Sequence, residues 1–100
     1  MPSRHPVEED ARYVLSPSVI STSLPGETVV LDPAAGQYFS VSGAGPRVWE
    51  LLQSPTTIGA IVAALESEFE VDPAACARDV RALVEELLER GLVIPDPATP

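Results

Sequence analysis

After an unpatterned start through Arg12, β-leaning runs lead to strict alternation over Gln37 to Val41, and beyond Val41 apolar residues recur with a helical period near 3.6. The first half therefore predicts strands and the second predicts helices. A β-leaning run from Tyr13 to Leu24, with Val19, Ile20 and Thr22, is closed by Pro25-Gly26 and reads as a first strand. Glu27 to Asp32 follows, apolar at Val29, Val30 and Leu31, and ends at Asp32-Pro33. Pro33 has no amide hydrogen for a ladder and Gly36 accepts a positive φ, so the chain bends there into Gln37 to Val41. Three short strands with short turns predict an antiparallel meander. On the third strand Gln37, Phe39 and Val41 point to one face and Tyr38 and Ser40 to the other. We expect this strand to be an exposed sheet edge that captures a peptide. An ordinary half-buried hairpin accounts for the same alternation, since most edge strands bind nothing.

Val48, Trp49, Leu51 and Leu52 open the helical half, with Pro46 suited to a first turn and Ser42 or Gly45 as cap. Trp49 reads as a core anchor because its apolar area is large wherever it is buried. Ser54-Pro55 ends that helix, Thr56 or Thr57 caps the next, and Ile58, Ile61, Val62, Leu65 and Phe69 form its apolar face. Gly59 weakens it by roughly 1 kcal/mol relative to Ala if interior, which a close helix contact would explain. The third helix is bounded by Asp72 as N-cap, Pro73 in the first position and Gly91 past the end, with Val71 and Cys76 spaced as a hydrophobic staple. Its apolar face, Cys76, Val80, Leu83, Val84, Leu87 and Leu88, is wide enough to cover a sheet and leave a strip beside the edge strand. Leu92, Val93 and Ile94 then pack back on the core. The expected organisation is one α+β domain, residues 15–94, between a polar tail at 1–14 and a proline-rich tail at 95–100.

Charge narrows the function classes. Fifteen Asp and Glu face six Arg with no Lys, a formal net charge of −9. A phosphate-binding surface needs a concentrated basic patch, so nucleic acid is not an expected partner, whereas a basic peptide or enzyme is compatible. A winged-helix DNA-binding protein using Arg78 and Arg81 is the rival reading from another class, and a dimerisation module on the same edge strand is a second. No apolar run is long enough to span a bilayer and the first ten residues lack a secretion signal, so a cytoplasmic location and no membrane partner are expected. The lone Cys76 and lone His5 assemble no metal site, Cys76 has no neighbouring base, and no phosphate loop or triad is present. Neither catalysis nor a cofactor is expected.

The marks Val-Val-Leu-Asp-x-x-x-Gly-x-Tyr-Phe, then Gly45 and Val-Trp-Glu-Leu-Leu, then Asp79-Val80 and Gly91-Leu92-Val93, resemble the PqqD-like family from about Val19 to Ile94. These are leader-peptide recognition domains of ribosomal peptide-maturation systems. The resemblance implies a winged helix-turn-helix-like fold, a three-stranded antiparallel sheet followed by three helices. It also implies non-catalytic capture of a precursor's leader peptide as an added strand on the third strand, in a groove shared with the third helix. Within the family a free-standing chain of this size is similar to the leader-binding proteins of lasso-peptide pathways. That implies a leader of Tyr-x-x-Pro type, a cysteine-protease leader peptidase and an asparagine-synthetase-like cyclase as partners. Ser42 stands where Asn often follows the strand in the pyrroloquinoline-quinone branch, a peptide chaperone of a radical-enzyme pathway and the alternative. The site implied is Gln37, Tyr38, Phe39, Ser40 and Val41 on the strand, with Cys76, Asp79, Val80 and Leu83 on the helix.

Overall fold

The computed structural model describes residues 11–96. Five strands and three helices follow one another as β1 (Tyr13–Leu15), β2 (Ile20–Leu24), β3 (Glu27–Asp32), β4 (Gln37–Ser42), α1 (Gly45–Leu51), α2 (Ile58–Glu68), α3 (Pro73–Glu89) and β5 (Val93–Pro95). The expected meander is present as an antiparallel sheet in the order β2-β3-β4. Its register pairs Val30 with Phe39 and Thr28 with Val41 on the inner face, and Leu31 with Tyr38 and Val29 with Ser40 on the outer one. The bend between β3 and β4 is built by Asp32. Its Oδ1 accepts from the amides of Ala34 (3.1 Å) and Ala35 (3.4 Å), and its carbonyl accepts from Gly36 N (2.9 Å). Gly36 sits at φ +66°, where a side chain would be strained.

The run from Tyr13 to Leu24 is not one strand. Ser16-Pro17-Ser18 interrupts it, with Ser16 Oγ accepting from Ser18 N and its carbonyl from Val19 N, as expected where proline supplies no ladder donor. The piece before the turn, β1, pairs antiparallel with β5 in a second, two-stranded sheet. Tyr13 is buried and exchanges two backbone hydrogen bonds with Thr56, at 2.8 and 3.0 Å. Leu15 N donates to Leu52 O, Ser16 N to Leu92 O, and Asp96 N to Arg12 O. The ordered fold therefore extends beyond residues 15–94 on both sides, because pairing β1 with β5 satisfies backbone groups that a tail would leave to water. Of the tails expected at residues 1–14 and 95–100, residues 1–10 and 97–100 lie outside the described residues.

The core lies between the inner face of the larger sheet and the helices, formed by Val30 and Val41 with Val48, Trp49, Leu52, Ile58, Ile61, Leu65, Val80, Val84, Leu87 and Val93. Ala44, not Ser42 or Gly45, is the N-cap of α1 and makes no side-chain cap bond. Gly45 serves the packing instead. A Cβ there would lie 2.7 Å from Val41 Cβ, so the absent side chain is what lets α1 sit against β4. Thr57 and Asp72 cap α2 and α3, accepting from Ala60 N at 3.1 Å and Ala75 N at 3.0 Å. Gly59 makes no close helix contact, its open side meeting only Thr57 Oγ1 at 4.0 Å. Phe69 is not in the core either. It lies just past α2 at the C-cap, 43% exposed, where the chain has already turned extended. Arg47 ties α1 to the end of α2 through two bonds to Glu68, both 2.8 Å, and one to Glu50 at 2.6 Å.

These contacts predict opposite responses to the same change. Gly45→Ala should lower stability by about 1–3 kcal/mol because Val41 cannot move away without shifting β4. Gly59→Ala should raise it by up to about 1 kcal/mol, and urea unfolding midpoints of the two variants read both. The guanidinium of Arg47 also holds the Glu68 carboxyl below its ordinary range near 4.5. A lowered folded-state value means this contribution is present above that range and fades as pH falls through it. Glu68→Gln should thus flatten the acid side of the stability profile, which thermal melts across the acidic range will show.

Candidate functional site

Nothing among the described residues pairs with the outer edge of β4, since the sheet ends there. Beside that edge runs α3. Its residues Asp72, Ala75, Cys76, Asp79, Val80 and Leu83 follow the i, i+3, i+4, i+7 spacing of one helix stripe and face Phe39 and Val41 across a gap. The gap is an open groove of about 520 Å³, bordered by Ser40, Ser42 and Ala44 along the strand side and floored by Val41, Val48 and Leu65. That is within the range of ligand sites, and its lining is mostly apolar with polar groups at the rim.

Of the residues expected in the site, Phe39, Ser40, Val41, Cys76, Asp79, Val80 and Leu83 all line this groove. Gln37 and Tyr38 do not. Alternation carries the Tyr38 ring to the outer sheet face, where it is 77% exposed opposite Leu31, and Gln37 lies at the turn end of the strand. Both border a separate small depression with Asp32, Phe39, Arg90 and Leu92. What Gln37 and Tyr38 can offer a peptide is main-chain edge. Phe39 spans the two regions, with Arg90 stacked over its ring at 4.6 Å from the centroid.

Sequence reasoning missed Ser42, Ala44, Gly45, Val48, Leu65, Val71, Asp72 and Ala75 as groove residues. Two of them were signalled. Val71 was paired with Cys76 as a staple and Asp72 was the cap, and the helical repeat from Leu83 back to Ala75 marks the stripe. Val48 and Leu65 read as core positions, and they are buried as well as floor.

Burial pushes the Cys76 thiol up, with the charges of Glu66 and Asp79 adding to the effect. It is held as a thiol, the opposite of what a nucleophilic cysteine needs. Among the described residues no three His, Cys, Asp or Glu gather to hold a metal ion. No described helix is long and apolar enough to cross a membrane.

Solved structures of known proteins resemble this fold. A structure described as TbiB1 in complex with the TbiA(beta) leader peptide matches with a TM-score of 0.74 at 29% identity, over 87% of this chain and 99% of that one. A lasso peptide synthetase B1 complexed with the leader peptide matches with a TM-score of 0.74 at 27% identity, over 85% and 100% of the two chains. The PqqD portion of Methylobacterium extorquens PqqCD, a RiPP recognition element, matches with a TM-score of 0.72 at 18% identity, a likeness of fold. In sequence, a PqqA binding protein of Gluconobacter oxydans is 36% identical over 55 residues, which span 55% of this chain and 57% of that relative. The profile of the family described as coenzyme PQQ synthesis protein D (PqqD) matches residues 27–93, from the first residue of β3 into β5, and the chain belongs to that family.

Proposed function

We propose that this protein captures the leader segment of a ribosomally made precursor as an extra strand on β4, with side chains of the leader seated in the groove between β4 and α3. The observation that carries this reading is the combination of an unpaired β4 edge with an apolar groove running alongside it. Main-chain hydrogen bonds from an edge provide affinity independent of sequence, and pockets for alternate side chains provide selectivity. Each such bond adds only about 1 kcal/mol net. Submicromolar binding requires roughly 8 kcal/mol or more, so apolar anchors of the leader must enter the groove. An aromatic residue and a proline of a Tyr-x-x-Pro leader suit its lining.

Within the family, the lasso-peptide branch is supported by the two leader-bound structures, which match this chain over nearly their full length. In this role the chain acts without catalysis. It presents the precursor to a cysteine-protease leader peptidase and an asparagine-synthetase-like cyclase, in the cytoplasm. The sequence match to a PqqA binding protein supports the alternative, a peptide chaperone of pyrroloquinoline-quinone synthesis, and covers little more than half of that relative.

Calorimetric titration with a synthetic Tyr-x-x-Pro leader tests the reading. Saturable one-to-one binding is expected. Leu83→Glu should weaken it at least about tenfold, because a charge buried against an apolar anchor costs several kcal/mol if fully desolvated. Ala82→Glu, on an exposed position outside the groove, should change affinity by less than about twofold. Absence of saturable binding to the wild-type chain, or equal losses in the two variants with folding intact, overturns it. A PqqA-type peptide that binds while the Tyr-x-x-Pro leader does not would move the chain to the alternative branch.

A further inference from the structure

The groove carries charge of one sign. Among the described residues its charged lining is Asp72 and Asp79, and no described arginine lines it. Elsewhere on the described surface Arg47 pairs with Glu50 and Glu68, and Arg90 with Glu86. Asp72 is committed to the fold, its carboxylate capping α3 through Ala75 N. Asp79 is differently placed. It lies two turns further along the same groove-facing stripe, its side chain is 79% exposed, and its ion pair with the equally exposed Arg78 is long, 4.0 Å from Nε, beyond hydrogen-bond distance. A carboxylate offers about four acceptor positions, so Asp79 retains capacity toward whatever lies in the groove.

We propose that the peptide held in the groove presents a lysine or arginine side chain to Asp79 beside its apolar anchors, so that the site selects leader segments with basic residues near the anchor and rejects acidic ones. This rests on the peptide capture proposed above and names the chemistry of its substrate. The aliphatic stem of a lysine or arginine can lie along Val80 and Leu83 while its charged head reaches the rim. A glutamate in the same place meets like charge. An exposed pair of this kind is worth roughly two- to fivefold in affinity, and the net charge of −9 adds attraction during encounter.

Three synthetic peptides that share a Tyr-x-x-Pro core and differ only in whether the flanking variable residues are lysine, glutamine or glutamate test this by fluorescence anisotropy. The lysine form should bind about two- to fivefold more tightly than the glutamine form, with the glutamate form weakest. The spread should shrink between about 50 mM and about 500 mM salt, as the screening length falls. Asp79→Lys should narrow the spread by at least about half, and Asp79→Asn by less. Glu89→Lys makes the same change in net charge from a position outside the groove and should leave the spread nearly intact. Equal affinities for the three peptides, or equal narrowing by Asp79→Lys and Glu89→Lys, overturn the assignment while leaving peptide capture standing. If none of the three binds the wild-type chain, peptide capture itself fails and the charge selectivity falls with it. Circular dichroism of each variant confirms that the folded protein is being compared.

Discussion

The groove depends on one close contact, that of Gly45 with Val41, where a Cβ on the glycine would come within 2.7 Å of the valine's own Cβ. It seats the first turn of α1 directly on β4 and lets Val48 and Trp49 fill the inner face of the sheet behind it. With that face occupied, α3 packs against α2 and β5 and stands off from β4. The gap that remains has Val41, Val48 and Leu65 beneath it. A groove with a buried apolar floor is what a well-packed layer leaves when the next helix is displaced by one neighbour.

Among the described residues the three-stranded sheet has two free edges, and comparing them shows what makes one of them suited to a peptide. The edge at β2 is exposed along all five residues. The cleft near it is smaller, about 320 Å³, and its wall is largely Ser, Thr, Glu, Gln and Arg. The edge at β4 runs beside about 520 Å³ of mostly apolar groove. Backbone hydrogen bonds are available at either edge, but only desolvation of apolar anchors supplies the surplus that binding requires. The position of α3 therefore separates the two edges more than the strands themselves do. The β1-β5 pair supports that position indirectly, because β5 packs against α3 and β1 holds β5 through the register from Tyr13 to Leu15.

The meander, the three helices and most helix ends were legible in the sequence because their signals are local. Asp72, Thr57 and Gly91 act on neighbours within a few residues, and the alternation from Gln37 to Val41 needs no tertiary information. The second sheet was not legible. Tyr13–Leu15 and Val93–Pro95 are three residues each, and their pairing joins opposite ends of the chain. Phe69 continued a helical repeat that the backbone abandons one residue earlier, so spacing alone assigned it to the core. Within the site, the α3 stripe was visible as a repeat. Tyr38 was included because its strand was, although alternation sends its ring to the other face. Gly45 was read as a cap, since nothing local distinguishes a glycine that ends a turn from one that admits a neighbouring strand.

Capture on β4 is tested most directly by amide hydrogen exchange of the labelled protein with and without a synthetic Tyr-x-x-Pro leader, followed residue by residue. In an edge strand only alternate amides bond to the neighbouring strand, so half of those in Gln37–Ser42 face outward and exchange freely. Strand addition predicts that these outward amides of β4 become protected when the leader binds, while the free edge of β2 stays unchanged. Leader binding that leaves the outward amides of β4 exchanging as before, or that protects β2 instead, would contradict it.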